Sequence, residues 1–440
     1  MTNVNNSLLN QGINETKNFI EHLKVSIEKK ESLDEQQSIR IRSRIDGALT
    51  LLPEDIEKED RTLSILHDAV KGKVGEKWSR EGVDHFLQDA VFHSLDIAQK
   101  SPESFDKRLE TALQTLKESL VQPLKPWKFY HVVLGLDVSD ANRNIGKVEF
   151  FHGSPEILEQ ILLQINDITD ESLNTAEEKE SLKGIYEEQV RRFFEGVAIA
   201  GLTVTAGDLE AARRLVHEEL QTTLDVINFY TLSVYSQNLR VRVFLPGDAI
   251  GTQSLNISFR EDEGFNIQRP RHGPLVNFSL SSINEHRAKS IGLTRLSEIL
   301  SKPAPNDIEK RLLAAVRIAG KAVSSIRRED AFLLHAIALE SVLVGGKEIT
   351  DLTYKLSTRC AHLLGTDLEK RKIIKKEVAG LYGIRSAIVH RGENNFTDSD
   401  FFRIRSYTQN VLVSLLTKDE LKDFTKKEEL NYWFDERMLS

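Results

Sequence analysis

The stretch AFLLHAIALESVL (331–343) is apolar nearly all round. A helix with that pattern belongs in the middle of a helical bundle rather than on its surface. Reading outward, the neighbouring segments carry apolar residues at helical spacing. Upstream, Ser301-Lys302-Pro303-Ala304-Pro305-Asn306 is a linker signal, and Asn306 or Asp307 is placed to cap a helix over 307–327. Its apolar face carries Ile308, Leu312, Ala315, Ala319 and Val323. Downstream, Gly345-Gly346 is expected to stop the central helix. A third helix carries Leu352, Leu356, Cys360 and Leu363, and is expected to end at Gly365. A fourth carries Ile373, Val378, Leu381 and Ile388, and a fifth Phe401, Ile404, Val411 and Leu415. Five helices in that order predict a compact up-down bundle over 303–440.

The texture changes before the linker. WKFYHVVLGLDV (127–138), GKVEFFHG (146–153) and GVAIAGLTVTAG (196–207) read as strands, the first two as a hairpin with a long turn. Helices are expected near 154–168, across 182–195 and from an Asp208 cap to about Tyr235. VRVFLPG (241–247), LNISFRE (255–261) and FNIQRP (265–270) are three further short strand candidates. Residues 123–302 therefore predict an α+β region with an antiparallel or mixed sheet. Residues 1–122 read as helices with almost no strand character, punctuated at Pro53, Gly72 and Ser101-Pro102. The predicted fold class is multidomain α and α+β: a helical region, a mixed α/β region and a C-terminal all-α bundle.

Composition bounds the function. The chain has 440 residues, 40% hydrophobic and 29% charged, with a net charge of −8. That length suits two or three domains. The acidity sits in residues 1–302, at −11, whereas the chain from Pro303 onward is +3. The balance argues against a protein that coats nucleic acid in bulk. The single cysteine, Cys360, excludes a disulfide framework and a paired-thiolate zinc site. It sits on an apolar helix face, which suits packing better than nucleophilic chemistry. No apolar run is long enough for a membrane helix, and MTNVNNSLLNQ lacks the layout of a signal peptide. A cytoplasmic protein in a reducing compartment, without membrane contact, is expected.

Most chemistry-bearing motifs are absent. Gly345-Gly346-Lys347 is followed by Glu348, not Ser or Thr, so there is no phosphate loop. His217-Glu218 has Gln221 where a zinc protease helix needs its second His. There is no G-x-S-x-G elbow and no G-x-G-x-x-G turn. No helix-turn-helix signature or basic stripe supports a DNA-binding regulator. No metal and no cofactor are expected.

One constellation carries chemistry. Arg385-Ser386-Ala387-Ile388-Val389-His390 is an R-x4-H element near the end of the fourth bundle helix. A guanidinium grips phosphate oxygens with a planar fork. An imidazole takes a proton from a ribose 2′-hydroxyl or gives one to a leaving oxygen near neutral pH. The pair suits metal-independent cleavage of RNA. Similar spacings occur at Arg61/His67, Arg80/His85 and Arg328/His335, so spacing alone does not choose. An Arg and a His at a helix end also serve structural hydrogen bonding.

The neighbourhood chooses. Residues from about 329 to 415 resemble the HEPN superfamily (higher eukaryotes and prokaryotes nucleotide-binding), specifically its ApeA-like branch. The blocks that carry this are Ala338-Leu339-Glu340-Ser341-Val342-Leu343, Tyr354-Lys355-Leu356-Ser357-Thr358-Arg359, Leu363-Leu364-Gly365 and Leu381-Tyr382-Gly383-Ile384-Arg385 running on to Gly392. Arg391 departs from the pattern, where a small residue is usual, and either contacts RNA or reaches solvent. The resemblance implies a dimerising bundle whose two Arg–His pairs share a cleft with endoribonuclease activity. It makes His390 the acid/base and Arg385 the phosphate and transition-state stabiliser. Ser386 stands four residues before His390, on the same face, where it would orient the imidazole. Glu340 and Arg359 match recurrent acidic and basic positions. A carboxylate in so apolar a helix needs a partner, Arg359 or Arg385. Lys372, Lys375 and Lys376, with Lys370 and Arg371, form either a phosphate rail or a solvated face.

By the same resemblance the substrate is RNA, with tRNA the leading guess, and residues 1–302 hold a sensor that gates the nuclease. That describes an abortive-infection effector or toxin with a phage-derived trigger. The rival is a HEPN scaffold or partner-binding regulatory protein, homodimeric but without catalysis.

Overall fold

The computed structural model describes residues 4–28, 40–44, 47–51, 53–71, 77–96, 101–138, 142–172, 176–234, 241–246, 256–260, 264–268, 277–325, 327–344, 351–393 and 395–439. Gly72, the start of the 139–144 loop and the Gly345-Gly346 stop lie outside the described residues. The fold is mostly helical, with a small antiparallel sheet and a C-terminal helical region. The chain separates into two compact units.

The first unit comprises Met1–Phe129 and Thr203–Glu218. It contains α1 (Asn6–Glu28), β1 (Arg40–Arg44), β2 (Gly47–Leu51), α2 (Pro53–Lys71), α3 (Arg80–Leu95) and α4 (Phe105–Val121). Phe19, Leu23, Leu66, Leu87, Leu116 and Leu120 fill one core. The β1–β2 antiparallel hairpin is an addition to the helical N-terminal region, whose sequence predicts almost no strand character. RIRSR has one β-branched residue in five, so its pairing with β2, not its own propensity, makes it a strand. Ser79 caps α3 through Gly82 N–H, and Asp208 caps α7 (Leu209–Val234) through Ala211 N–H. The two caps bond each other: Ser79 N–H and Oγ–H donate to Asp208 at 2.8 and 2.7 Å.

The second unit comprises Tyr130–Leu202 and Glu219–Ser440. Its first part follows β3 (Lys125–Val133) with β4 (Leu136–Asp137), β5 (Arg143–Ile145), β6 (Val148–His152), α5 (Pro155–Ser172), α6 (Ala176–Phe194) and β7 (Ala198–Ala206). The sheet order is β3-β7-β6-β5. This corrects the expected hairpin between 127–138 and 146–153, because β7 lies between those strands. Gly135 and Gly146 both have positive φ. Gly135 turns the chain away after β3, and Gly146 closes the tight β5–β6 hairpin instead. Phe151, Leu158, Ile161, Val190 and Ile199 form the core between the sheet and its helices.

β8 (Asn256–Arg260) and β9 (Gly264–Gln268) fall on two of the three short strand candidates and pair antiparallel with each other. The third candidate, 241–247, is not a strand over its described residues. Asn228 of α7 takes both backbone groups of Val243, donating to its oxygen and accepting from its N–H at 2.8 Å each. Phe244 keeps a single bridge, to Leu134. After β10 (Phe278–Ser279), which pairs with β4, come α8 (Glu285–Ser290) and α9 (Leu293–Ser301).

The C-terminal helical region is α10 (Asp307–Ser324), α11 (Arg328–Leu343), α12 (Leu352–Leu364), α13 (Leu368–Arg391), α14 (Asp398–Thr417) and α15 (Lys427–Leu439). Asn306 and Glu309 form a capping box on α10, and Thr397 and Asp400 one on α14. Phe332, Leu339, Leu356, Cys360, Val378, Val411 and Leu412 are buried. α15 adds a sixth helix to the expected five; its Phe434 is fully buried and receives the Arg359 guanidinium 5.2 Å from its ring centroid.

Candidate functional site

The R-x4-H element lies in the last two turns of α13. Gly392, at φ 66°, takes the left-handed conformation that ends a helix, and its N–H bonds the carbonyls of Ala387 and Ile388. That stop fixes His390 and Arg391 in the final turn, where cations complement the helix dipole. His390 is exposed, as is Ser386 one turn before it. They share a face, with no hydrogen bond between them among the described residues.

Arg385 points elsewhere. His390 lies five positions further on, about 140° around the helix and about 7.5 Å along it. Arg385 faces α11, where its Nε lies 3.1 Å from Glu340 Oε1. Both side chains are 22% exposed. The N–H does not point along the line to that oxygen, so the contact is an ion pair rather than a directed hydrogen bond. The pair answers the need for a partner to Glu340, and the partner is Arg385, not Arg359. Arg359 instead donates to the Leu343 carbonyl and stacks on Phe434, and burial lowers its pKa. It supports the end of α11 rather than the carboxylate.

Tyr382, three residues before Arg385, joins the pair from inside. Burial first, then the Glu340 carboxylate, pushes its hydroxyl pKa well above the usual value. It therefore stays a neutral phenol beside that charge. Sequence patterning alone assigns Tyr382 no role; its i, i+3 spacing to Arg385 is the one signal that points to it.

The other basic residues spread out. Arg391 pairs with Glu393 at 3.1 Å on the surface. Lys372 pairs with Glu369 at 2.8 Å. Lys375 lies 4.1 Å from the centroid of the Tyr354 ring, and Lys376 is exposed. His335, of the alternative Arg328/His335 spacing, is buried and held neutral, its pKa pushed down to about 3 by burial and by Arg405. Arg328 lies over the Phe401 ring instead. The Cys360 thiol is fully buried and its pKa is pushed up by that burial.

Among the described residues no three His, Cys, Asp or Glu side chains are grouped to hold a metal ion. Among them, too, no helix is long and apolar enough to cross a membrane. No family model, no curated protein and no solved structure matches this chain. What the helix end offers is an exposed imidazole and, about one turn below it, a half-buried guanidinium held against a carboxylate.

Proposed function

We propose that the chain is a metal-independent endoribonuclease of the HEPN type, ApeA-like, acting on RNA with tRNA as the leading substrate. The observation that carries the reading is the placement of Arg385 and His390 on the last turns of one helix, the first oriented by Glu340 and the second open to solvent. His390 takes the proton of a ribose 2′-hydroxyl. The 2′-oxygen attacks the adjacent phosphorus, the bond from phosphorus to the 5′-oxygen breaks, and that oxygen leaves with the proton that a protonated His390 imidazole gives back. Arg385 binds the phosphate oxygens as negative charge builds on them. A splayed single-stranded loop, such as an anticodon loop, allows the in-line geometry better than a duplex.

Because Arg385 and His390 diverge by about 140° on one helix, a shared cleft between two copies supplies what one copy lacks. A free ribonuclease harms its own cell, so a gate in residues 1–302 and a role in abortive infection belong to the proposal. Products ending in 2′,3′-cyclic phosphate and 5′-hydroxyl test the chemistry. DNA of the same sequence must stay intact; cutting of DNA contradicts the reading.

The scaffold reading has one observation in its favour. The Glu340–Arg385 contact ties α11 to α13, which is a structural service in itself. A homodimer inert towards every RNA supports that reading.

A further inference from the structure

α12 and α13 flank a cleft of about 690 Å³, with Tyr354 and Ser357 on one side and Lys372, Lys375 and Lys376 on the other. Tyr354 is 58% exposed, a large aromatic ring left in water although Lys375 lies over it. Lys375 and Lys376 have no carboxylate partner among the described residues. Asp351 is the one acid among the described residues of the cleft wall, so the balance there is positive. The field extends along α12: the pKa of His362, two turns beyond Tyr354, is lowered by burial and by Arg371, Lys375 and Arg437.

The geometry of α13 links this cleft to the R-x4-H element. At 100° per residue, Lys372, Lys376, Ala379, Gly383, Ser386 and His390 fall within about 40° of one line. The middle of that line is low: Ala379, Gly383 and Ser386 are small, and a Cβ built on Gly383 meets nothing within 4 Å. The line runs about 27 Å from Lys372 to His390, the span of several nucleotides.

We propose that the α12–α13 cleft is a substrate-holding subsite for single-stranded RNA, in which a base stacks on Tyr354 and phosphates meet Lys372, Lys375 and Lys376. The strand then follows the exposed face of α13 to His390. Exposed aromatics with interleaved cations are how proteins hold single strands, because every base offers a π-face and every nucleotide a phosphate. The choice of RNA rests on the nuclease reading above; the stacking site rests on Tyr354 and its lysines.

The test measures binding of the full chain to a short single-stranded 2′-O-methyl RNA by fluorescence anisotropy. That probe has no free 2′-hydroxyl, so it cannot be cut and the readout is independent of catalysis. Tyr354→Ala weakens binding about tenfold or more, and Tyr354→Trp restores it. Removing Lys372 and Lys376 lowers the slope of log K against log salt by about 0.7 for each phosphate left without its cation. Wild type that fails to bind, Tyr354→Ala that binds like wild type, or Tyr354→Trp as weak as the alanine variant overturns the proposal. So does equal affinity for duplex RNA or for a mononucleotide. Binding with the expected Tyr354 dependence, alongside no cleavage of unmodified RNA, upholds the subsite and counts against a nuclease that is active without its trigger. Cleavage with an unchanged KM in Tyr354→Ala does the reverse.

Discussion

Glu340 sets what Arg385 does. Its carboxylate is half-buried, and Arg385 is its ion-pair partner at 3.1 Å. Glu340→Gln leaves a half-buried guanidinium without its counter-charge and costs about 1–2 kcal/mol by chemical denaturation. In the Arg385→Gln background the same change costs measurably less, because the ion pair is already broken; additive costs contradict the pairing. Two buried groups make opposite statements about pH. Asp225 is raised from its ordinary 3.8 to about 6, by burial against the weaker pull of Lys321, Gln221 and Arg317. A raised carboxyl is protonated in the folded chain while the unfolded chain has already ionised. Its contribution therefore favours folding at low pH and is lost as pH rises from about 4 to about 6. The distance from 3.8 to about 6 corresponds to about 3 kcal/mol. Asp225→Asn removes that slope and raises the melting temperature at pH 8 relative to pH 5. His335 runs the other way. Its folded pKa of about 3 lies below the ordinary 6.5, so its stability is present above 6.5 and lost as pH falls towards 3. His335→Leu flattens that acid limb in a thermal melt followed from pH 7 to pH 4.

At the scale of the element, caps and close approaches carry the predictions. Asn306 accepts from Glu309 N–H, and Glu309 accepts from Asn306 N–H, at 2.9 Å each. Asn306→Ala removes half of that box and costs about 1 kcal/mol in thermal stability. α10 meets α7 at Gly320, where a Cβ would fall 1.8 Å from the Asp225 carbonyl oxygen. Gly320→Ala forces backbone from backbone and costs about 3 kcal/mol; a neutral substitution would contradict that packing. These helices were legible because their signals are local: an Asn before the apolar stripe, a Gly after it, a period of 3.6. The sheet was less legible. Strands 127–138, 146–153 and 196–207 stand out by β-branched and aromatic content, but their order depends on which neighbour each meets. Asn228 captures Val243 from fifteen residues away, and no pattern within VRVFLPG announces that. The site divides the same way. The R-x4-H spacing and the need of Glu340 for a partner are written in the chain. That Arg385, not Arg359, is the partner follows from how α11, α12 and α13 pack. Tyr382 and Tyr354 read as ordinary helix residues until burial separates them, one hidden beside Glu340 and the other left in water.

For the whole molecule, charge and geometry point the same way. The C-terminal helical region carries a small positive excess in a chain of net −8, and four of its lysines, Lys370, Lys372, Lys375 and Lys376, lie in the first turns of α13, the helix that ends at His390 and Arg391. One copy turns Arg385 inward and His390 outward, so the proposed cleft needs two copies. Sedimentation of the purified chain is expected to give at least a dimer, and a strict monomer at every concentration counts against the nuclease. The most direct measurement incubates the full chain with total tRNA in EDTA, beside Arg385→Ala and His390→Ala. Wild type is expected to give discrete fragments ending in 2′,3′-cyclic phosphate, and neither variant any. Equal fragmentation by wild type and both variants would contradict the assignment of Arg385 and His390.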